Sequence, residues 1–331
     1  MNLEKRLSLL TFIGQYIKSN SPAFQGIKER AFAENKWFTP HFIDLAANNI
    51  ADSLLNEQNL ALFAKKFNLE NTPRSQKTVG IVMAGNIPLV GFHDLLCVFL
   101  SGHKQRIKLS TKDNILIPHL IEIIKDEFQE VNEYIQFSDM LKGCDAFIAT
   151  GTNNSARYFE YYFGKHPHII RKNRTSIAII DGSESTEELD LLADDIQLYF
   201  GLGCRNITQV LVPENYDFVP LLNALKKYDY FREHDKYKNN FDYYLTIAIM
   251  NNQFYMTNNS ILLKENESPF SPIGQLNYRY YKNMADTLNN INNNETQTIV
   301  GKGFQQFGTA QKPGLEDFAD GVNTMTFLQS L

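Results

Sequence analysis

Only three cysteines, Cys97, Cys144 and Cys204, occur in 331 residues, and they are scattered. A disulfide framework and a zinc ribbon both need clustered, paired cysteines and are excluded; a reducing, cytoplasmic setting is the expectation. No apolar run approaches the ~18 residues of a membrane-spanning helix. The opening MNLEKRLSLLTFIGQYIKSN has a short apolar run, but Gln15, Lys18 and Asn20 interrupt it and no small-residue cleavage site follows. It reads as an amphipathic helix, not a signal peptide. Excess positive charge is also missing: 32 Lys and Arg face 37 Asp and Glu, a formal charge of −5. General nucleic-acid binders are more often basic, so nucleic acid is not an expected partner. There is no internal repeat, no P-loop and no G-x-G-x-x-G.

The rest of the composition is that of a folded chain, with 43% hydrophobic and 21% charged residues. At ~100–200 residues per domain, two domains are expected. Residues 1–75 read as helical, with Thr39 capping a helix that has Pro40 at its first position. From Lys77 the pattern becomes strand, turn, helix, repeated: strands at 77–84, 105–109 and 144–149, helices at 89–101, 114–127 and 153–163. That alternation is the signature of a parallel α/β sheet. A second α/β pattern starts near Thr175, with strands at 176–180 and 209–212 and a helix at 186–199. Residues 217–227 and 278–291 read as helices, and 244–249 and 253–256 as strands. Gly301 to Pro313 reads as a returning loop.

Four segments could carry chemistry. Gly201-Leu-Gly-Cys204 sets a cysteine after two glycines, between a helix and a strand, where a ligand can approach the backbone. A thiolate there is a nucleophile, and its own amide can bind an oxyanion; a buried structural cysteine in a tight turn would look the same. Gly85-Asn86-Ile87-Pro88 ends the first strand, where ligands gather in α/β folds, although Asn is also an ordinary turn residue. Lys108-Leu-Ser-Thr111-Lys112 puts ammonium and hydroxyl groups at a strand end, suited to ribose or phosphate or to plain solvation. Thr150-Gly151-Thr152 precedes a helix whose first amides attract phosphate, or are simply capped.

In that order the four segments resemble the aldehyde dehydrogenase superfamily, and more closely the acyl-CoA reductase family that includes the fatty-acid reductase of bacterial luminescence. The resemblance covers residues 80–215 well and the remainder weakly. It implies an aldehyde-dehydrogenase-like architecture: two α/β domains with an active-site cleft between them, and an N-terminal helical addition. The nucleotide-binding domain would span 1–172 and the catalytic domain 173–300, with 301–331 packing back on the first. Cys204 matches the family's catalytic cysteine, and Asn86 the asparagine that shares the oxyanion hole with the Cys204 amide. Lys108 matches the lysine on the adenosine ribose, and Thr150, Gly151 and Thr152 the turn under the pyrophosphate and nicotinamide. Family members that prefer NAD often have a glutamate where Thr111 stands. Hydroxyl and ammonium groups tolerate a 2′-phosphate, so NADPH is the expected cofactor, with NADH the alternative.

Departures narrow the chemistry. Aldehyde-oxidising members have a glutamate in the stretch matching residues 171–175, which here is Arg-Lys-Asn-Arg-Thr. Without it, hydrolysis of an acyl-enzyme is disfavoured and exchange with a thiol such as CoA fits better. The expected reaction is reduction of an acyl-CoA, or other acyl thioester, to an aldehyde. Aldehyde oxidation by the same cysteine and a non-catalytic nucleotide-binding protein are the alternatives. Glu267 is the nearest match to a second family glutamate. No metal is expected, and a homodimer is compatible with the family. Cys97, Cys144 and His93 read as packing residues, and His166-Pro-His168 as a surface turn.

Overall fold

A computed structural model describes residues 1–73 and 75–331. The chain divides into two compact units, Met1–Asn173 with Pro313–Leu331, and Arg174–Lys312.

The first unit holds a five-stranded parallel sheet of β1 (Thr78–Val82), β2 (Lys104–Lys108), β3 (Ile135–Phe137), β4 (Ala146–Thr150) and β5 (His168–Arg171). Their order is β3-β2-β1-β4-β5. Apolar β1 and β4 sit in the middle because both faces are covered, as parallel strands require. Helices Phe92–Ser101 and Leu116–Glu127 and the N-terminal helices share one core with the sheet, including Leu9, Ile13, Val79, Ile81, Leu95, Leu120 and Ile148. Thr39 caps the helix Pro40–Asn49 by accepting from the Phe42 amide. The chain end returns to this unit, where the buried Met325 and Leu328 of helix Thr324–Gln329 join the same core.

The second unit holds six strands, β6 (Thr175–Ile179), β7 (Ile207–Pro213), β8 (Met256–Thr257), β9 (Leu262–Glu265), β10 (Gln275–Tyr281) and β11 (Thr296–Gly301). They run in the order β11-β6-β7-β10-β9-β8, all parallel except the two-residue β8.

Several element readings need correction. Residues 244–249 lie inside the helix Asp235–Met250 rather than a strand. The run Leu-Thr-Ile-Ala-Ile has strand-like branching, but the buried positions are Tyr237, Phe241 and Ala248, spaced for one helical face. Residues 278–281 belong to β10, and only Met284–Asn289 is helical there. The polar Asn277 masks this strand. It is fully buried, and its amide donates to the Ser268 and Phe270 carbonyls. His168, read as part of a turn, opens β5. Gly301 ends β11, the strand beside β6, and residues up to Lys312 stay with the second unit.

Candidate functional site

In the first unit, register brings three of the four segments to one edge. Val82 lies beside Lys108 on one side and Ala149 on the other, and neighbouring strands are ~4.8 Å apart. The Asn86 turn, Lys108 and the Thr150-Gly151-Thr152 turn therefore all leave the carboxyl edge of β1, β2 and β4. β1 is where the strand order reverses, the place where parallel α/β sheets open a ligand crevice.

The Asn86 turn is tightly held. A Cβ on Gly85 would lie 2.5 Å from Ser110 Oγ, so only glycine lets the β1 and β2 turns meet. Leu89 has φ of 60°, and its amide donates to Asp113 Oδ2 at 2.8 Å. Asp113 is buried, its Oδ1 has no hydrogen-bond partner, and burial pushes its carboxyl up to about 7. Asn86 is half-buried, whereas Lys108, Thr111 and Thr152 are exposed and Thr150 and Gly151 half-buried. The Thr152 hydroxyl accepts from the Ser155 amide and caps helix Asn153–Phe163. Beneath this edge Arg171 is buried. It pairs with Asp94 at 2.5 Å, donates to Thr324 Oγ1 at 3.0 Å and reaches within 3.5 Å of Thr150 Oγ1.

In the second unit, Cys204 sits in a turn just before the amino end of β7 and is half-buried. The chain enters this turn through three successive left-handed residues, Tyr199 (φ 56°), Phe200 (φ 58°) and Gly201 (φ 74°). For the two aromatic residues that conformation costs about 1–2 kcal/mol each, and surrounding packing must impose it. The Phe200 ring lies 4.4 Å from Phe231 and 4.5 Å from His234, centroid to centroid. The Cys204 carbonyl accepts from Ser176 Oγ at 3.0 Å, and that oxygen in turn accepts from the Thr298 amide at 3.2 Å. Asn206, fully buried, accepts from the Gly203 amide of the turn with Oδ1 and donates through Nδ2 to the Leu198 carbonyl.

No family model and no curated protein matches the chain. Solved structures do. The indole-3-acetaldehyde dehydrogenase AldA of P. syringae, solved with NAD+ and IAA, superposes with a TM-score of 0.66 at 11% identity, over 91% of this chain and 72% of that one. The M. tuberculosis aldehyde dehydrogenase complexed with NAD+ gives 0.63 at 13%, over 87% and 70%. The Streptococcus pyogenes succinic semialdehyde dehydrogenase with NADP+ gives 0.61 at 13%, over 87% and 74%. The chain has the aldehyde dehydrogenase fold.

Within this aldehyde dehydrogenase fold the remaining residues singled out in the sequence are placed as follows. Cys97 and Cys144 are buried, and burial pushes both thiols up. His93 Nε2 meets the Leu315 carbonyl at 2.9 Å and so ties down the returning chain end. Glu267 is exposed and pairs with Arg279 at 3.1 Å. His168 Nε2 faces Glu160 at 3.8 Å, and among the described residues no cluster suited to a metal occurs. No helix among them is long and apolar enough to cross a membrane. Sequence reasoning passed over Asp113, Arg171, Ser176, Asp195 and Asn206. Asp113 and Asn206 follow Lys108 and Cys204 by five and two residues, a proximity that could have marked them; the others become visible only through long-range contacts.

Proposed function

We propose that this protein is a nicotinamide-dependent oxidoreductase acting on an aldehyde and its acyl counterpart through Cys204. The observation that carries the reading is the constrained cysteine turn at the amino end of β7 in a chain with the aldehyde dehydrogenase fold. The edge of β1, β2 and β4 fits the cofactor. The Lys108 ammonium and the Thr111 hydroxyl suit ribose hydroxyls or a 2′-phosphate, and a Cβ on Gly151 would meet Ser155 and Phe159 at 2.9 Å, so the backbone alone fills that turn.

The finer reading is reduction of an acyl thioester such as acyl-CoA. The Cys204 thiolate attacks the thioester carbonyl, and the Cys204 amide donates to the oxyanion, a contribution on the order of 3–4 kcal/mol for a well-placed donor. The CoA thiolate leaves, takes a proton from solvent, and an acyl-enzyme remains on sulfur. When bound, the reduced nicotinamide supplies the hydride that turns this thioester into a thiohemiacetal. Cys204 then departs as thiolate, and the aldehyde is released. No Asp or Glu occurs from Gly164 to Thr175 to activate water against the acyl-enzyme, which supports transfer to a thiol over hydrolysis.

Aldehyde oxidation is the second reading, and the names of the structural neighbours favour it. Incubation with NADPH or NADH and a panel of acyl-CoAs, and in parallel with NADP+ or NAD+ and aldehydes with and without CoA, separates the two. The account expects aldehyde from acyl-CoA, and CoA-dependent oxidation in reverse. Free acid formed at the same rate without CoA favours the second reading. Turnover that survives in Cys204→Ala rejects both.

A further inference from the structure

Asn206 is fully buried two residues beyond Cys204. Its Oδ1 accepts from the Gly203 amide at 2.8 Å, and its own amide donates to the Gly203 carbonyl at 3.1 Å. Cys204 is therefore the second residue of a four-residue turn whose ends are tied twice. The Asn206 Nδ2 group faces the other way and donates to the carbonyls of Asp195, Ile196 and Leu198 at 3.1, 3.2 and 2.8 Å. These belong to the carboxyl end of helix Thr186–Gln197, whose last carbonyls have no partner within the helix and carry the negative end of its dipole. A second anchor fixes the same helix end: the buried Asp195 carboxylate accepts from the Gly308 amide at 2.6 Å and the Ala310 amide at 3.0 Å.

We infer that Asn206 is a positioning residue for Cys204: it locks the turn that carries the sulfur and ties that turn to the carboxyl end of helix Thr186–Gln197. The inference rests on the reading of Cys204 as nucleophile. An asparagine is needed because the turn asks for an acceptor and the helix end for a donor. Aspartate supplies only the acceptor and adds charge; alanine supplies neither. The charged and titratable groups around this helix end and turn are Arg205 on the turn, Asp194 and Asp195 on the helix, Lys227 beside Asp194 at 2.6 Å, Tyr228 donating to Asp194, Tyr237 donating to Gln197, Lys312 opposite Asp195, and His234 against the Phe200 ring. Burial pushes the Asp195 carboxyl up to about 7, so the comparison is made above it, at pH 8.5, with Asn206→Ala as the variant that adds no charge.

The test is alkylation of the full chain by iodoacetamide at pH 8.5, with each cysteine followed by peptide mass spectrometry in wild type, Asn206→Asp and Asn206→Ala. The inference expects Cys204 labelling to slow at least tenfold in both variants while Cys97 and Cys144 stay protected. Cys204 labelling within twofold of wild type, or faster, overturns it. So does labelling of all three cysteines together, which assigns Asn206 to folding alone. The ratio between variant and wild type reads positioning independently of the proposed function. That function fails separately, if wild-type Cys204 reacts no faster than glutathione and acquires no acyl group from acyl-CoA.

Discussion

The two units prepare their candidate residues at opposite ends of their strands. In the first, Asn86 follows β1 and Lys108 and Thr150 end β2 and β4, with Lys108, Thr111 and Thr152 exposed and Asn86 and Thr150 half-buried. In the second, Cys204 precedes the amino end of β7, behind left-handed aromatic residues and above a fully buried asparagine. The contrast suits the two roles proposed above: side chains that bind a cofactor can order on contact, whereas a nucleophile must be aimed beforehand. Each unit also buries one aspartate whose carboxyl is pushed up to about 7, Asp113 and Asp195, and the two are bonded differently. Asp195 uses both oxygens, while Asp113 leaves Oδ1 without a partner.

The largest expected effect lies beneath the carboxyl edge of the first sheet. Asp94→Ala strips the buried Arg171 of its ion-pair partner, and breaking such a pair costs roughly 3–5 kcal/mol. Urea unfolding should show this loss. An effect under about 1 kcal/mol would mean that the edge does not depend on the pair.

Next comes Asp195→Asn, which sets an amide donor against one of the two backbone amides that Asp195 now accepts. A loss of about 2–3 kcal/mol is expected from the unsatisfied buried donor, together with easier proteolysis at residues 307–312. Asp113→Asn sharpens the contrast, because it removes the titrating group while the side-chain carbonyl can keep the Leu89 bond. Its effect is in the pH profile. A carboxyl near 7 in the folded chain and at 3.8 in the unfolded one keeps its proton in the folded state as pH rises. The stability it contributes is full below about 4, is lost between 4 and 7, and is flat above 7. Asp113→Asn should remove this part of the slope in melting temperature and gain on the order of 1–2 kcal/mol over wild type at pH 8. An unchanged slope would place the titration elsewhere.

The smallest expected effect is at the exposed edge. Thr111→Glu should weaken NADPH binding about tenfold, roughly 1.4 kcal/mol, with NADH little changed. Fluorescence titration of both cofactors measures it; equal weakening would remove Thr111 from the 2′-phosphate contact.

The first sheet was readable in the sequence because β1 and β4 are apolar runs, and all of β1, β2 and β4 are closed by a turn and followed by a helix, although β2 (Lys-Gln-Arg-Ile-Lys) is mostly polar. The resemblance carried the same reading across residues 80–215. What escaped were elements whose polarity is satisfied at long range. β10 hides behind Asn277, and β5 is short and flanked by His168 and Arg171. At the site, Cys204 and Asn86 stood out by residue type and place, but the groups that hold them did not. Asp195 and Ser176 act across 113 and 28 residues of chain, on Gly308 and Cys204, and nothing local announces such contacts. The left-handed Tyr199 and Phe200 were equally silent, since bulky residues are the last expected in that conformation.

The proposed reaction passes through a thioester on one sulfur, that of Cys204. Wild-type protein mixed with an acyl-CoA in the absence of reduced nicotinamide, then digested and analysed by mass spectrometry, should carry one acyl group, on Cys204. Adding NADPH or NADH should discharge it as aldehyde. An acyl group on another residue, or none at all with any acyl-CoA tried, contradicts the account.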